Sequence, residues 1–319
     1  MESIGSPWMW ASFIAFVLAM LALDLGVFHR HAHKVSVREA SIWSLVWVGL
    51  ALGFNALIWT QFGSQRGMEF LTGYFIEKAL SVDNIFVFVL IFGAFSVPEA
   101  YQHRVLFWGI LGALVMRAIF VGLGSALISN FHWVLHLFGA FLVITGVKML
   151  VLREQGFDPR KNPLFRLFQR MIPAVDTYHG PAFTVVKEGR RFATPLLLVL
   201  VAVELTDLVF AVDSVPAIFA ITKDPFIVFT SNIFAILGLR SLYFLLSGVV
   251  DRFHLLKIGL SLVLVFVGLK MLLAEVFKVP VIWSLAMIIL LIGGSMLASV
   301  MLPRRPVSPL PDAPEGEDS

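Results

Sequence analysis

Apolar residues gather along this chain into nine stretches, each long enough for the roughly 20-residue helix that crosses a bilayer. The pattern predicts spans at 8–28, 40–62, 68–95, 103–127, 131–151, 193–220, 226–249, 253–276 and 280–302. The connections are short and polar except for 152–192. There Leu164, Phe165, Phe168, Met171 and Ile172 recur at helical spacing against Arg166, Gln169 and Arg170, which predicts a short helix lying on the membrane surface. The following FTVVKEGRRF places Gly189 between two β-prone runs and predicts a small hairpin. Residues 303–319, rich in proline and acids, read as a disordered tail. The first span is expected to be retained rather than cleaved as a signal peptide. Its head, MESIGSPW, has no Lys or Arg, and no small-x-small site follows its apolar run. The fold class is therefore all-α: a polytopic membrane protein with about nine transmembrane helices over residues 1–302.

Composition supports this and removes the alternatives. Of 319 residues 59% are apolar and 14% charged, with a mean hydropathy of +0.89; soluble domains run about 45–50% and about 25%. A pair of soluble domains, a disordered chain and a collagen are excluded. With no cysteine, a disulfide framework and a thiolate metal site are excluded too. Orientation comes from where the basic residues sit. Arg30, Lys34, Arg38, Arg104, the run from Arg153 to Arg191, Arg252, Lys257, Arg304 and Arg305 fall on one side, against Arg66, Lys223 and Lys278 on the other. The N-terminus is expected outside and the C-terminus in the cytosol.

Two stretches repeat. EKALSVDN in span three sets Glu77 and Asp83 six apart, and ELTDLVFAVDS in span six does the same with Asp207 and Asp213, preceded by Glu204. Arg117 follows in span four and Arg240 in span seven; GVKML with Lys148 closes span five and GLKML with Lys270 falls late in span eight. The interval from acid to Arg differs by seven residues, so the copies are unequal in length. Residues 68–151 and 193–276 thus read as two copies of three helices. Three is odd, so the second copy enters the membrane from the opposite side, a design of secondary transporters with a midplane site between the halves.

Intramembrane charges are costly. At about 2.5–3.5 kcal/mol each, Glu77, Lys78, Asp83, Arg117, Glu204, Asp207, Asp213 and Arg240 would cost about 20–28 kcal/mol unpaired, against a typical folding stability of about 5–15 kcal/mol. They must compensate one another. Fully ionised, the five acids exceed Lys78, Arg117 and Arg240 by two charges; a divalent cation and protonation of two carboxylates neutralise that excess equally well. Carboxylate, amide and hydroxyl oxygens suit Mg²⁺, Ca²⁺ and Mn²⁺, and Asn84 and Ser214, each following the second acid of its copy, either add oxygens or cap a broken helix. Residues six apart on a regular helix point about 120° away from each other, so one shared site requires a kink or break near VDN and VDSVP, with Pro216 as one cause. A purely structural salt-bridge network is the competing reading. Other polar residues are weaker candidates. Asp24 lies near the inner end of span one, and Lys148 and Lys270 lie near span ends where they can snorkel. Asn55 and Thr230–Asn232 read as helix–helix glue, and His29, His31 and His33 sit in a solvated loop.

With these motifs in hand the chain resembles the TerC family. The resemblance rests on LTGYFIEKALSVDNIFVF, GALVMRAIF, FGAFLVITGVKML, ATPLLLVLVAVELTDLVFAVDSVPAIFAIT, DPFIVFTSNIFAILGLR and the Lys270 segment, and covers about residues 8–302. Val215 stands where isoleucine is common. The resemblance implies manganese export across the bacterial inner membrane, with Glu77, Asp83, Glu204, Asp207 and Asp213 carrying the ion. The choice of manganese over magnesium or calcium comes from resemblance alone. Proton antiport is the candidate energy source, since no Walker motif occurs and no soluble domain is long enough for an ATPase; no nucleophile elbow occurs either. An enzyme, a resident cofactor and a nucleic-acid partner are not expected; the partners are the divalent ion, protons and the bilayer. The alternatives are a non-transporting membrane scaffold and an exporter of another cation such as Ca²⁺.

Overall fold

The computed structural model describes residues 3–26, 36–131, 133–151, 173–187, 189–247, 255–274, 276–277 and 279–302, and only the backbone at 24–26, 83, 86, 129 and 213. The histidine-rich loop, the surface helix expected over 164–172, the tail and the side chains of Asp24, Asp83 and Asp213 lie outside the described residues.

Among the described residues ten helices and one hairpin follow in order: α1 Pro7–Gly26, α2 Val37–Phe62, α3 Ser64–Ala94, α4 Glu99–Asn130, α5 Trp133–Val151, β1 Thr184–Lys187, β2 Arg190–Ala193, α6 Pro195–Phe219, α7 Pro225–Leu237, α8 Leu239–Leu246, α9 Leu256–Leu272 and α10 Val281–Met301. The chain is an all-α membrane protein. Five helices among the described residues are long and apolar enough to cross a bilayer, six if α7 and α8, bent by 40°, make one span. The nine-span expectation additionally counts α1, α3 and α9.

Caps explain several boundaries. The Ser36 side chain accepts from Glu39 N, so α2 begins at Val37, earlier than its apolar run. Asp224 caps α7 by accepting from Phe226 N at 2.9 Å. The same carboxylate takes Ser3 Oγ at 3.0 Å and Ile4 N at 2.8 Å, tying the start of the chain to that turn. In the hairpin Thr184 pairs with Ala193 and Lys187 with Arg190. Gly189 sits at φ 74°, a left-handed conformation that glycine adopts without penalty. Tyr178 Oη, just before the hairpin, donates to Phe95 O at 2.7 Å and fastens this loop to the end of α3.

The breaks fall elsewhere than expected. α3 runs unbroken through Val82–Asn84 and α6 through Asp213; Pro216 lies in the last turn of α6, where only one further turn depends on it. The interruption is at Gly238, between α7 and α8. Glu77 of α3 and Asp207 of α6 come together on Arg117 across the two helices without a break in either.

α3 runs through the middle of the bundle, packed on α2, α6, α7, α8 and α10. It is antiparallel to α6: Gly73 faces Ile218, and Asn84 faces Asp207. α4 packs on α6 as α3 packs on α7. The most extensive helix pair is α5 with α9. A Cβ added at Gly139 would lie 3.0 Å from Gly268 O, one at Gly268 2.7 Å from Gly139 O, and one at Gly146 2.8 Å from Ser261 O. These glycines let two antiparallel backbones touch, the usual basis of helix association in lipid. Gly268→Leu is therefore expected to cost about 1–3 kcal/mol by overpacking, read as a lower melting temperature in detergent. Unchanged melting would mean that the two helices do not meet there.

Candidate cation site at the crossing of three helices

Three buried charges meet at the crossing of α3, α4 and α6. Glu77, Arg117 and Asp207 are 1%, 0% and 3% exposed. Arg117 Nη1 lies 2.9 Å from Glu77 Oε1, and Nη2 lies 4.0 Å from Asp207 Oδ1. Nη1 also donates to Ser214 Oγ in a short contact. Asn84 Nδ2 donates to Asp207 Oδ1 at 3.4 Å, and Asn232 Nδ2 donates to Glu77 Oε2 at 3.4 Å. Asn84 of α3 thus reaches Asp207 of α6, and Ser214 of α6 shares the guanidinium with Glu77 of α3.

The site is under-satisfied. Asp207 Oδ2, Asn84 Oδ1, Asn232 Oδ1 and Ser81 Oγ are buried without a hydrogen bond, as are Arg117 Nε and Nη2, while Glu77 Oε1 has only its ion contact. Buried polar atoms are normally paired, and here the unpartnered ones gather around Glu77 and Asp207. Most are oxygens, the donor type that hard divalent cations take. Among the described side chains no three His, Cys, Asp or Glu residues form a metal-binding group; the described carboxylate pair is Glu77 with Asp207.

Other candidates fall in different places. Glu204, one turn from Asp207, lies in a cleft of about 430 Å³ lined by Trp108, Leu111, Gly112, Val115, Met116 and Leu200. Its carboxylate presses against Gly112 so closely that a Cβ there would collide with it. Gly112→Ala is therefore expected to expel the Glu204 side chain; if Glu204 serves transport, flux falls at least about tenfold, the size of effect that removing a metal-site support has. Unchanged flux would separate Glu204 from the transport route. Lys78 does not join the acids: its Nζ donates to Ala235 O at 3.3 Å, against the break at Gly238. There it meets a helix C-terminal carbonyl, where a cation is stabilising. Arg240 is buried in the first turn of α8. Lys148 is exposed and Lys270 half-buried. Thr230 and Ser231 bond back to their own helix, through Phe226 O and Val228 O, as glue residues do. Asn232, grouped with them by sequence, reaches Glu77 instead, and Ser81 lies buried one helical turn from Glu77; the only available signal was their polarity inside apolar runs.

Comparison with known proteins agrees with the architecture. The family model described as "Integral membrane protein TerC family" matches residues 62–306. An uncharacterized membrane protein, STKORF319, from Myxococcus xanthus is 56% identical over 313 residues, 98% of each chain. A putative membrane-bound redox modulator, Alx, from Escherichia coli (strain K12) is 49% identical over 297 residues, 90% of this chain and 92% of the relative. An uncharacterized membrane protein from Rickettsia bellii is 39% identical over 292 residues, 92% of this chain and 97% of the relative. No solved structure matches. The chain belongs to the TerC family of integral membrane proteins.

Proposed function

We propose that this protein is a secondary transporter that exports a divalent cation, Mn²⁺ foremost, from the cytosol of a bacterium across the inner membrane. The observation that carries the reading is the pair Glu77 and Asp207, drawn from two antiparallel helices of matching sequence onto one guanidinium, among buried oxygens that lack partners. Asn84, Asn232, Ser81 and Ser214 complete an oxygen-only set around the ion, and Asp83 and Asp213 lie on the same two helices. Manganese, over magnesium or calcium, rests on the family resemblance.

The inverted repeat is supported by paired contacts. Taking GVKML onto GLKML maps Gly139 onto Ser261 and Gly146 onto Gly268, so the contact Gly139–Gly268 becomes Ser261–Gly146, and both contacts occur. Such a two-fold lets the halves rock about the shared carboxylates and expose them to each side in turn. With the N-terminus outside, Mn²⁺ enters from the cytosol. Driving two charges outward against an inside-negative potential costs about 4.6 kcal/mol per 100 mV. Inward proton movement onto the carboxylates displaces the metal and supplies that energy.

Arg117 favours a second reading, since its guanidinium already holds both acids: a structural charge network in a membrane scaffold. Redox modulation, the activity in the name of the E. coli relative, has no thiol to work through here, because the chain has no cysteine. Purified protein in liposomes discriminates. Export predicts Mn²⁺ flux that rises with an opposing pH gradient and falls when pH gradient and potential are collapsed. A scaffold predicts none, and flux indifferent to both gradients removes proton coupling.

A further inference from the structure

Buried polar groups do not stop at Glu77. On α3, Glu69, Thr72, Gly73 and Glu77 share one helical face by their spacing, and the first and last are separated by about 12 Å along the axis. That face looks onto α7 and the turn before it: a Cβ at Gly73 would lie 2.8 Å from Ser231 Oγ, and Asn232 reaches Glu77. Thr72, Thr230, Ser231 and Asn232 are fully buried. These groups form a polar seam between α3 and α7, with Ile218 of α6 packed beside Gly73.

Glu69 closes its far end. It is 4% exposed and accepts Thr222 Oγ1 at 2.7 Å and Arg66 Nη1 at 2.8 Å on Oε2, with Gln65 Nε2 at 3.3 Å on Oε1. Lys270 of α9 is within its electrostatic reach. Thr222 belongs to the second copy and Glu69 to the first, so this contact spans the two halves. Arg66, which holds the same oxygen from within α3, keeps a third of its side chain in solvent and so can leave the carboxylate from the outer side.

We propose that the α3–α7 seam is the outward route of the cation and that Glu69 is its outer gate, shut by Arg66 and Thr222 and opened when a cation arriving from Glu77 takes the place of the guanidinium. The direction of the route rests on the export reading above; the gate itself is tested without metal. Because the chain has no cysteine, a single Ser231→Cys reports access to the seam, and Ser261→Cys, fully buried at the α5–α9 contact, serves as control. A membrane-impermeant thiol reagent is added outside intact spheroplasts. With Glu69 present the reporter should react slowly. With Glu69→Ala it should react at least about tenfold faster and with Thr222→Val several-fold faster, while the control stays slow in both. Unchanged labelling at position 231 overturns the gate. An equal rise at position 261 also overturns it, since that is general loosening, and so does acceleration confined to inverted vesicles. Gated labelling in a protein that moves no Mn²⁺ upholds the gate and contradicts the export reading instead.

Discussion

Replacing Arg117 by methionine is expected to destabilise the protein by about 3–5 kcal/mol, the cost of removing one partner from a buried ion pair. The guanidinium is wholly buried and lies beside both Glu77 and Asp207, so methionine leaves two carboxylates with no cation among the described residues that reach them. Set against a stability of about 5–15 kcal/mol, this is a large fraction. The loss should be recovered in good part by adding Glu77→Gln, which removes a charge that Arg117 no longer balances. Thermal unfolding in detergent of the two single variants and the double gives the coupling. Additivity within about 0.5 kcal/mol would mean that the two residues do not interact.

Asp207→Asn is expected to do the opposite: leave the fold intact or slightly more stable, and abolish transport. Two described carboxylates face one guanidinium, so neutralising one leaves a balanced pair with Glu77. The same change removes a charged oxygen from the proposed ligand set. Metal affinity should fall by about 100-fold, the upper end of what loss of even an outer-shell partner costs. Melting temperature and Mn²⁺ flux measured on the same preparation check this. A destabilised protein with undiminished flux would favour the structural network.

Much of this site was legible because charge inside an apolar run is conspicuous and expensive. Glu77, Asp207 and Arg117 announced themselves that way, Asn84 and Ser214 by their matching places after Asp83 and Asp213, and the GVKML and GLKML motifs carry glycines that join α5 to α9. The hairpin was equally plain from Gly189. Convergence was not legible. Periodicity tells which residues share a face of one helix, not which faces meet, so the expected breaks at VDN and VDSVP are absent while Glu77 and Asp207 meet by the pairing of α3 against α6. The actual break at Gly238 sits within an apolar ILGLR with no proline to mark it. Lys78, next to Glu77 in sequence, points to that break because neighbours on a helix face apart. Glu69 lies near the start of its helix, where an acid reads as interfacial, and only tertiary packing buries it.

The central claim is that Glu77 and Asp207 share one cation. Titrating Mn²⁺ into the purified protein and following free metal by its electron paramagnetic resonance signal tests this most directly. One tightly held Mn²⁺ per chain in the wild type, lost in both Glu77→Gln and Asp207→Asn, is the predicted result. Binding that survives in both variants, or none in the wild type, would contradict it.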